Sequence, residues 1–285
     1  MFRSGYRGGN AVAAQRPMDM RTVFADAVRG LGGTFPLQRA ITVVLLEVHE
    51  WQPWLDDATA LLSASEAGRV QRRRIAADGE ALALAYALHR LLLGKVLGRD
   101  PADVPVHRDE RGCPRLAGDI AYTSLSHADG LIALAVTTAG PIGVDIETRV
   151  RAAVMPEIAR SVCHRSEEAE LSSLDEPTRA AALLALWVRK EALLKAAGIG
   201  LAVPMETFAA PEHLPVLMLP APFDDPIQVR MLNAGDRCVA AIAGPPGIGT
   251  EWRWVRPAIG SRVAGLSTRP RPGLDLARTA RVKAL

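Results

Sequence analysis

Two carboxylates stand two residues apart in PIGVDIE, residues 141–147, and a third follows, between two lysines, in WVRKEALLK, residues 187–195. On a strand, Asp145 and Glu147 project from the same face, because side chains alternate. Like charges on one face repel, and burial strengthens the repulsion, so the pair calls for a bound cation or an adjacent cluster of Lys and Arg. On a helix, Glu191 and Lys195 are four apart and share a face, while Lys190 is turned away by about 100°. A Glu and a Lys at that spacing are ordinarily a solvated pair worth a few tenths of a kcal/mol. Here the surrounding helix is rich in Ala and Leu, with Trp187 and Leu194 close by. Charges on a mostly buried helix need partners. A divalent cation shared by carboxylates of both elements would serve, and an oxygen-only donor set without a His or Cys cluster suits magnesium completed by water and phosphate.

SLSHADG, residues 124–130, adds Ser124, Ser126 and His127. They fall just before the strand expected to pair with the carboxylate strand, so they can reach the same sheet edge. A lone His at a strand mouth is more often structural; beside acids and two lysines, contact with a phosphate is an equal expectation. The other five histidines show no ligand spacing. The sequence carries no G-x-x-x-x-G-K-[ST] loop, no G-x-G-x-x-G turn and no G-x-S-x-G elbow. Cys113, Cys163 and Cys238 are sparse and form no C-x-x-C, which predicts a reducing compartment and no zinc site.

The elements that must position these groups read as helix then sheet, twice. ITVVLLEVHE (41–50) runs apolar from a β-branched start and predicts a strand. Ser63 with Glu66 three residues on predicts a capped helix, and 81–98 a long apolar helix stopped at Gly98. Residues 108–130 are turn-rich and polar; 131–138 and 141–147 read as two strands joined by a tight turn at Ala139 and Gly140. A capped helix beginning at 166 and a long helix over 178–200, stopped by Gly198 and Gly200, precede strand-like runs at 214–219, 227–232, 238–244 and 251–256. The expectation is an α+β protein divided as a flexible extension (1–37), a first lobe (38–140), a second lobe with the metal site (141–256) and a basic flexible tail (257–285). A net charge of +3 on 285 residues does not argue for a nucleic-acid partner, and no run is long enough to span a bilayer. A cytoplasmic protein is expected, with no signal peptide.

The blocks SHADG (126–130), GVDIE (143–147) and WVRKEALLK (187–195), in this order and spacing, resemble the phosphopantetheinyl transferases of the large, pseudo-dimeric, Sfp-like kind. The similarity covers roughly residues 40 to 255, and the W-x-x-K-E-A form resembles the branch serving fatty-acid and polyketide carriers. The resemblance implies two similar lobes in one chain, each a small, mostly antiparallel sheet with a long helix, and an active site at their interface. It implies a holo-acyl-carrier-protein synthase type of reaction. The serine of an apo acyl, polyketide or peptidyl carrier protein attacks the β-phosphate of coenzyme A, takes the phosphopantetheine arm and releases 3′,5′-ADP. By the same resemblance, Asp145, Glu147 and Glu191 hold Mg2+. Glu191, or a water held by the metal cluster, takes the serine proton; Lys195 steadies the phosphates, and Asp145 counts with these two as catalytic. Ser126, His127, Lys190, Lys195 and Arg115 contact coenzyme A.

Two positions depart from the family's pattern. Where a G-K-P step is usual this chain has GCP, with Cys113 in place of the Lys and Arg115 two residues on as its substitute. Where the first long helix commonly carries an Arg one turn before a second, this chain has Tyr86 before Arg90. These departures motivate a second reading, a non-catalytic module of the same fold that binds coenzyme A or a carrier protein. The basic stretch RVQRRR (69–74) is a candidate surface for an acidic carrier, with a plain solvated helix face as the alternative. A monomer is expected, since two lobes in one chain form the site without a partner subunit.

Overall fold

The computed structural model describes residues 18–29, 40–118, 120–216 and 226–258. In chain order, α1 (Met20–Ala27) and β1 (Ala40–Glu47) lead into the short helices α2 (Val48–Trp51), α3 (Leu55–Ala60) and α4 (Ala64–Gln71), then the long α5 (Ala76–Leu97). Strands β2 (Val106–Arg108), β3 (Pro114–Leu116), β4 (Tyr122–Ala128), β5 (Leu131–Thr137) and β6 (Gly143–Thr148) follow. Beyond them lie α6 (Ala159–Val162), α7 (Arg165–Leu171), the long α8 (Glu176–Ala197), and β7 (Pro215–Val216), β8 (Ile227–Leu232), β9 (Cys238–Gly244) and β10 (Gly249–Trp254).

The helix ends follow local chemistry. Ser63 and Glu66 close a reciprocal capping box on α4. Asp175 caps α8 through the Thr178 N–H. Both long helices stop at a left-handed glycine, Gly98 at φ 63° and Gly198 at φ 66°, where any other residue would be strained.

Two four-stranded sheets form, in the orders β10-β1-β5-β4 and β6-β9-β8-β7, with β2 and β3 a separate two-stranded hairpin. Alternate side chains of β1 divide between two cores. Val44 and Leu46 pack with α1 and α5, while Ile41, Val43 and Leu45 face Val144 and Ile146 of β6 and Ala240 and Ile242 of β9. Covered on both faces, β1 needs no polar alternation, which is why its sequence runs apolar. The other face of the second sheet, with Ala241 and Ala243, packs against Leu183, Leu193 and Ala197 of α8. A mixed α+β architecture of small sheets and long helices is therefore present.

Four expectations change. Part of the segment read as a flexible extension forms α1, with Met20, Val23 and Phe24 at most 1% exposed, so its apolar face belongs to the first core. The runs 131–138 and 141–147 do not form a hairpin: β5 pairs with β1 and β4, and β6 with β9. Both strands are buried on both faces, so their sequence could not say which partners they take. The polar stretch before residue 130 contains β4, whose Thr and Ser side chains are buried by bonding rather than exposed in turns. The last strand, expected within 141–256 as part of the second lobe, pairs parallel to β1 at the edge of the first sheet, with Val43 opposite Trp252. Residues 1–17, 30–39, 119, 217–225 and 259–285 lie outside the described residues, and with them much of both expected tails and the end of the 214–219 run.

Candidate active site

Period-two alternation on β6 sets the site. Val144 and Ile146 turn toward the first sheet, so Asp145 and Glu147 take the face of the second sheet that packs on α8. Side chains two apart on a strand are about 7 Å apart, and two like charges there repel by about 2 kcal/mol at an effective dielectric of 20. Asp145 is wholly buried and Glu147 is 1% exposed, so solvent does not screen them.

Two protein cations answer this repulsion. Lys195, from the last turn of α8, donates to Asp145 Oδ1 at 2.6 Å and to the Val144 carbonyl at 3.1 Å. A pair of opposite charges at ~4 Å between centres gains about 4 kcal/mol at the same dielectric, which exceeds the repulsion. Arg151, four residues past Glu147, lies 3.6 Å from its Oε1, and its guanidinium rests 5.0 Å over the Trp187 ring. Ser126 Oγ donates to Asp145 Oδ1 at 2.7 Å, and Ser124 Oγ accepts from the Val144 N–H at 3.0 Å. β4 thus joins β6 through side chains rather than through a backbone ladder.

Close contact between β6 and α8 is required for this geometry, and Gly143 permits it. A Cβ there would stand 2.0 Å from the Ala192 carbonyl oxygen and 2.4 Å from the Ala196 nitrogen, both backbone atoms of α8.

Beside Lys195 opens a cleft of about 230 Å³, lined from the first half by Arg108, Arg111, Arg115 and Ser124 and from α8 by Glu191 and Lys195. Arg108 lies over the Tyr86 ring at 4.7 Å and donates to the Gly112 carbonyl. Arg115 pairs with Asp109 at 3.0 Å, and Arg111 reaches the Gly198 carbonyl at the α8 C-terminus. Cys113 also lines the cleft; burial and then the charge of Asp109 push its thiol above the ordinary range, so it is held as a thiol. In the cleft wall, Thr123 donates to the Ala135 carbonyl and therefore accepts from His89 Nε2 at 2.6 Å. Burial, together with Arg108 and Arg90, drives His89 down to about 3, and it stays neutral.

The sequence-derived candidates thus divide. Asp145, Ser126 and Lys195 are in direct contact, Glu147 is on the same strand face, and Glu191, Lys195 and Arg115 line the cleft. Ser126 and His127 do not line it: Ser126 is spent on Asp145, and His127 pairs across from Ile132 of β5.

Lys190 is a correction. Offset from Lys195 around the helix, it is fully buried and donates to the carbonyls of Val162, Met205 and Phe208, with Glu167 2.5 Å away. Its ammonium holds α8 to α7 and the 205–208 turn and does not reach the cleft. Arg90 is likewise structural, bound to Glu66 at 2.7 Å. Sequence reasoning missed Arg108, Arg111 and Arg151. The aromatic Tyr86 at a position where the family commonly has Arg was a usable signal for Arg108, since a ring there offers a platform for a guanidinium from elsewhere.

Among the described residues, no three His, Cys, Asp or Glu side chains are gathered closely enough to hold a metal ion by themselves. Magnesium seldom requires such a cage, because it keeps several waters and binds through one or two carboxylates plus substrate phosphates. The oxygen-only chemistry of Asp145, Glu147 and Glu191 fits that cation, and Lys195 and Arg151 supply positive charge beside the first two.

A cleft rimmed by arginines, with a lysine and a carboxylate from one helix and buried acids behind them, has the charge and donor geometry that suit a polyanionic, phosphate-bearing ligand. Residues 141–217 match the family model of the 4′-phosphopantetheinyl transferase superfamily. The chain is 29% identical to the 4′-phosphopantetheinyl transferase HetI of Nostoc sp. (strain PCC 7120) over 215 residues, 71% of this chain and 90% of that protein. It is 30% identical to the 4′-phosphopantetheinyl transferase Sfp of Bacillus subtilis (strain 168) over 136 residues, 44% of this chain and 59% of that one. The chain is thus similar to 4′-phosphopantetheinyl transferases, with Sfp among the relatives it matches.

Proposed function

We propose that the protein transfers the 4′-phosphopantetheine arm of coenzyme A to a serine of an apo carrier protein of a fatty-acid, polyketide or peptide synthase, releasing 3′,5′-ADP, in the manner of a holo-acyl-carrier-protein synthase. The observation that carries this reading is that Lys195, bonded to the buried Asp145, lines with Glu191 one wall of a cleft whose other wall is arginine-lined. In this reading the pair of α+β halves acts as a pseudo-dimer with the active site between them.

Arg108, Arg111 and Arg115 bind the phosphates of coenzyme A, in place of the lysine that Cys113 replaces. Lys195 Nζ steadies the pyrophosphate as negative charge moves to the leaving group. Glu191, on the same cleft wall, accepts the proton of the attacking serine. Asp145 and Glu147, with Glu191, would hold Mg2+, which would neutralise pyrophosphate charge and favour the leaving group. Ser126 positions Asp145. All these side chains come from one chain, and we read the protein as a monomer. Its three free cysteines suit a reducing, cytoplasmic setting, and among the described residues no helix is long and apolar enough to cross a membrane.

The test is intact-mass analysis of an apo acyl carrier protein incubated with the protein, coenzyme A and Mg2+. Gain of one phosphopantetheine arm is expected, falling ~100-fold or more with Glu191→Gln and on chelation. Detectable coenzyme A binding with no gain on fatty-acid, polyketide or peptide carriers would instead establish a non-catalytic binding module.

A further inference from the structure

Both acids of β6 already have a protein cation beside them, and the two cations are unlike. Arg151 is anchored: its side chain is 9% exposed and its guanidinium is laid on the Trp187 ring. Lys195 is not: its side chain is 24% exposed, it lines the cleft, and its Nζ ends a flexible four-carbon stem. Asp145 itself does not line the cleft, so Lys195 stands between the buried acid and whatever anion enters.

We propose that Lys195 is the resident counter-ion of Asp145, competing with a divalent cation for that carboxylate, and that phosphates in the cleft relieve the competition by drawing Lys195 away. Arg151 is the fixed counter-ion of Glu147. This rests on the reading of the site as one for a divalent cation and a phosphate-bearing ligand.

The physical logic is exchange of charge in a buried place. While Nζ sits on Asp145 Oδ1, a cation arriving there meets positive charge and must displace a bonded ammonium. When a diphosphate occupies the cleft, Nζ has an alternative partner, and the vacated, wholly buried Asp145 needs a new positive charge. A cation on Asp145 conversely expels Lys195 toward the cleft. Each ligand therefore raises affinity for the other by the same factor, since coupling between sites is reciprocal.

The experiment is Mn2+ titration of the chelator-washed, full-length protein by electron paramagnetic resonance, with and without 3′,5′-ADP as phosphate probe. Lys195→Met is expected to bind Mn2+ about tenfold or more tightly than wild type when no nucleotide is present, within the ~5–150-fold usual for coupled sites. Nucleotide then adds less to Mn2+ affinity than it does in wild type. Lys195→Arg, which keeps the charge, stays near wild type. Lys195→Gln, able to bond Asp145 without charge, serves the same purpose should the Met variant lose its fold, which thermal unfolding reports. Equal or weaker Mn2+ binding by the folded, uncharged variants overturns the inference and leaves the transfer reading to its own carrier-mass test. Absence of Mn2+ binding in every protein, with or without nucleotide, overturns the inference together with the metal role of these acids.

Discussion

At the scale of single residues, Lys190 and Lys195 show how little a lysine's presence in a motif says about its work. They are five apart on one helix, and the turn between them sends one ammonium into a shell of carbonyls and the other to the cleft wall. Burial lowers the Lys190 pKa, and Glu167 opposes the shift. Lys190→Met leaves Glu167, 12% exposed on its side chain, without its cation. Breaking a buried pair from one side costs about 3–5 kcal/mol, so a large fall in the urea midpoint is expected. The nucleotide affinity of the protein that remains folded, measured by calorimetry, should be unchanged. A selective loss of that affinity with normal stability would return Lys190 to the ligand site.

At the scale of elements, the site depends on how closely β6 crosses α8. Gly143 places strand backbone against helix backbone, and the consequence is that Lys195 Nζ reaches both Val144 O and Asp145 Oδ1. Gly143→Ala inserts a methyl where neither neighbour is a movable side chain. Overpacking of this kind costs about 1–3 kcal/mol and pushes the elements apart. The expected result is a lowered unfolding midpoint together with a loss of carrier arming larger than the stability change explains. Arming at the wild-type rate would show that the crossing distance does not govern the chemistry.

At the scale of the whole molecule, the two sheets share a core, and the chain's return binds them. β10 adds to the first sheet, while the Trp254 indole N–H donates to the carbonyl of Ala234, in the segment between β8 and β9 of the second. Such sharing predicts one cooperative unfolding event, with tryptophan fluorescence and far-ultraviolet circular dichroism giving coincident urea transitions. Trp254→Ala, at a half-buried position, should lower both by about 2–3 kcal/mol together. Two separated transitions would mean that the halves unfold independently.

Much of the site was legible from residue types alone. The spacing in GVDIE put two carboxylates on one strand face, and Glu191 with Lys195 on one helix face, because those periodicities are local properties of the backbone. Helix ends at Gly98 and Gly198 and the Ser63 capping box were legible for the same reason. Partner choice was not. Which strands pair with β5 and β6, that β10 returns to β1, and that Arg151 and Lys195 stand on the two acids depend on contacts between distant segments. That a buried strand carries two charges needing compensation follows from residue types and the local period of a strand; that the protein's own cations, converging from α8 and the segment after β6, provide it follows from packing between segments far apart in the chain.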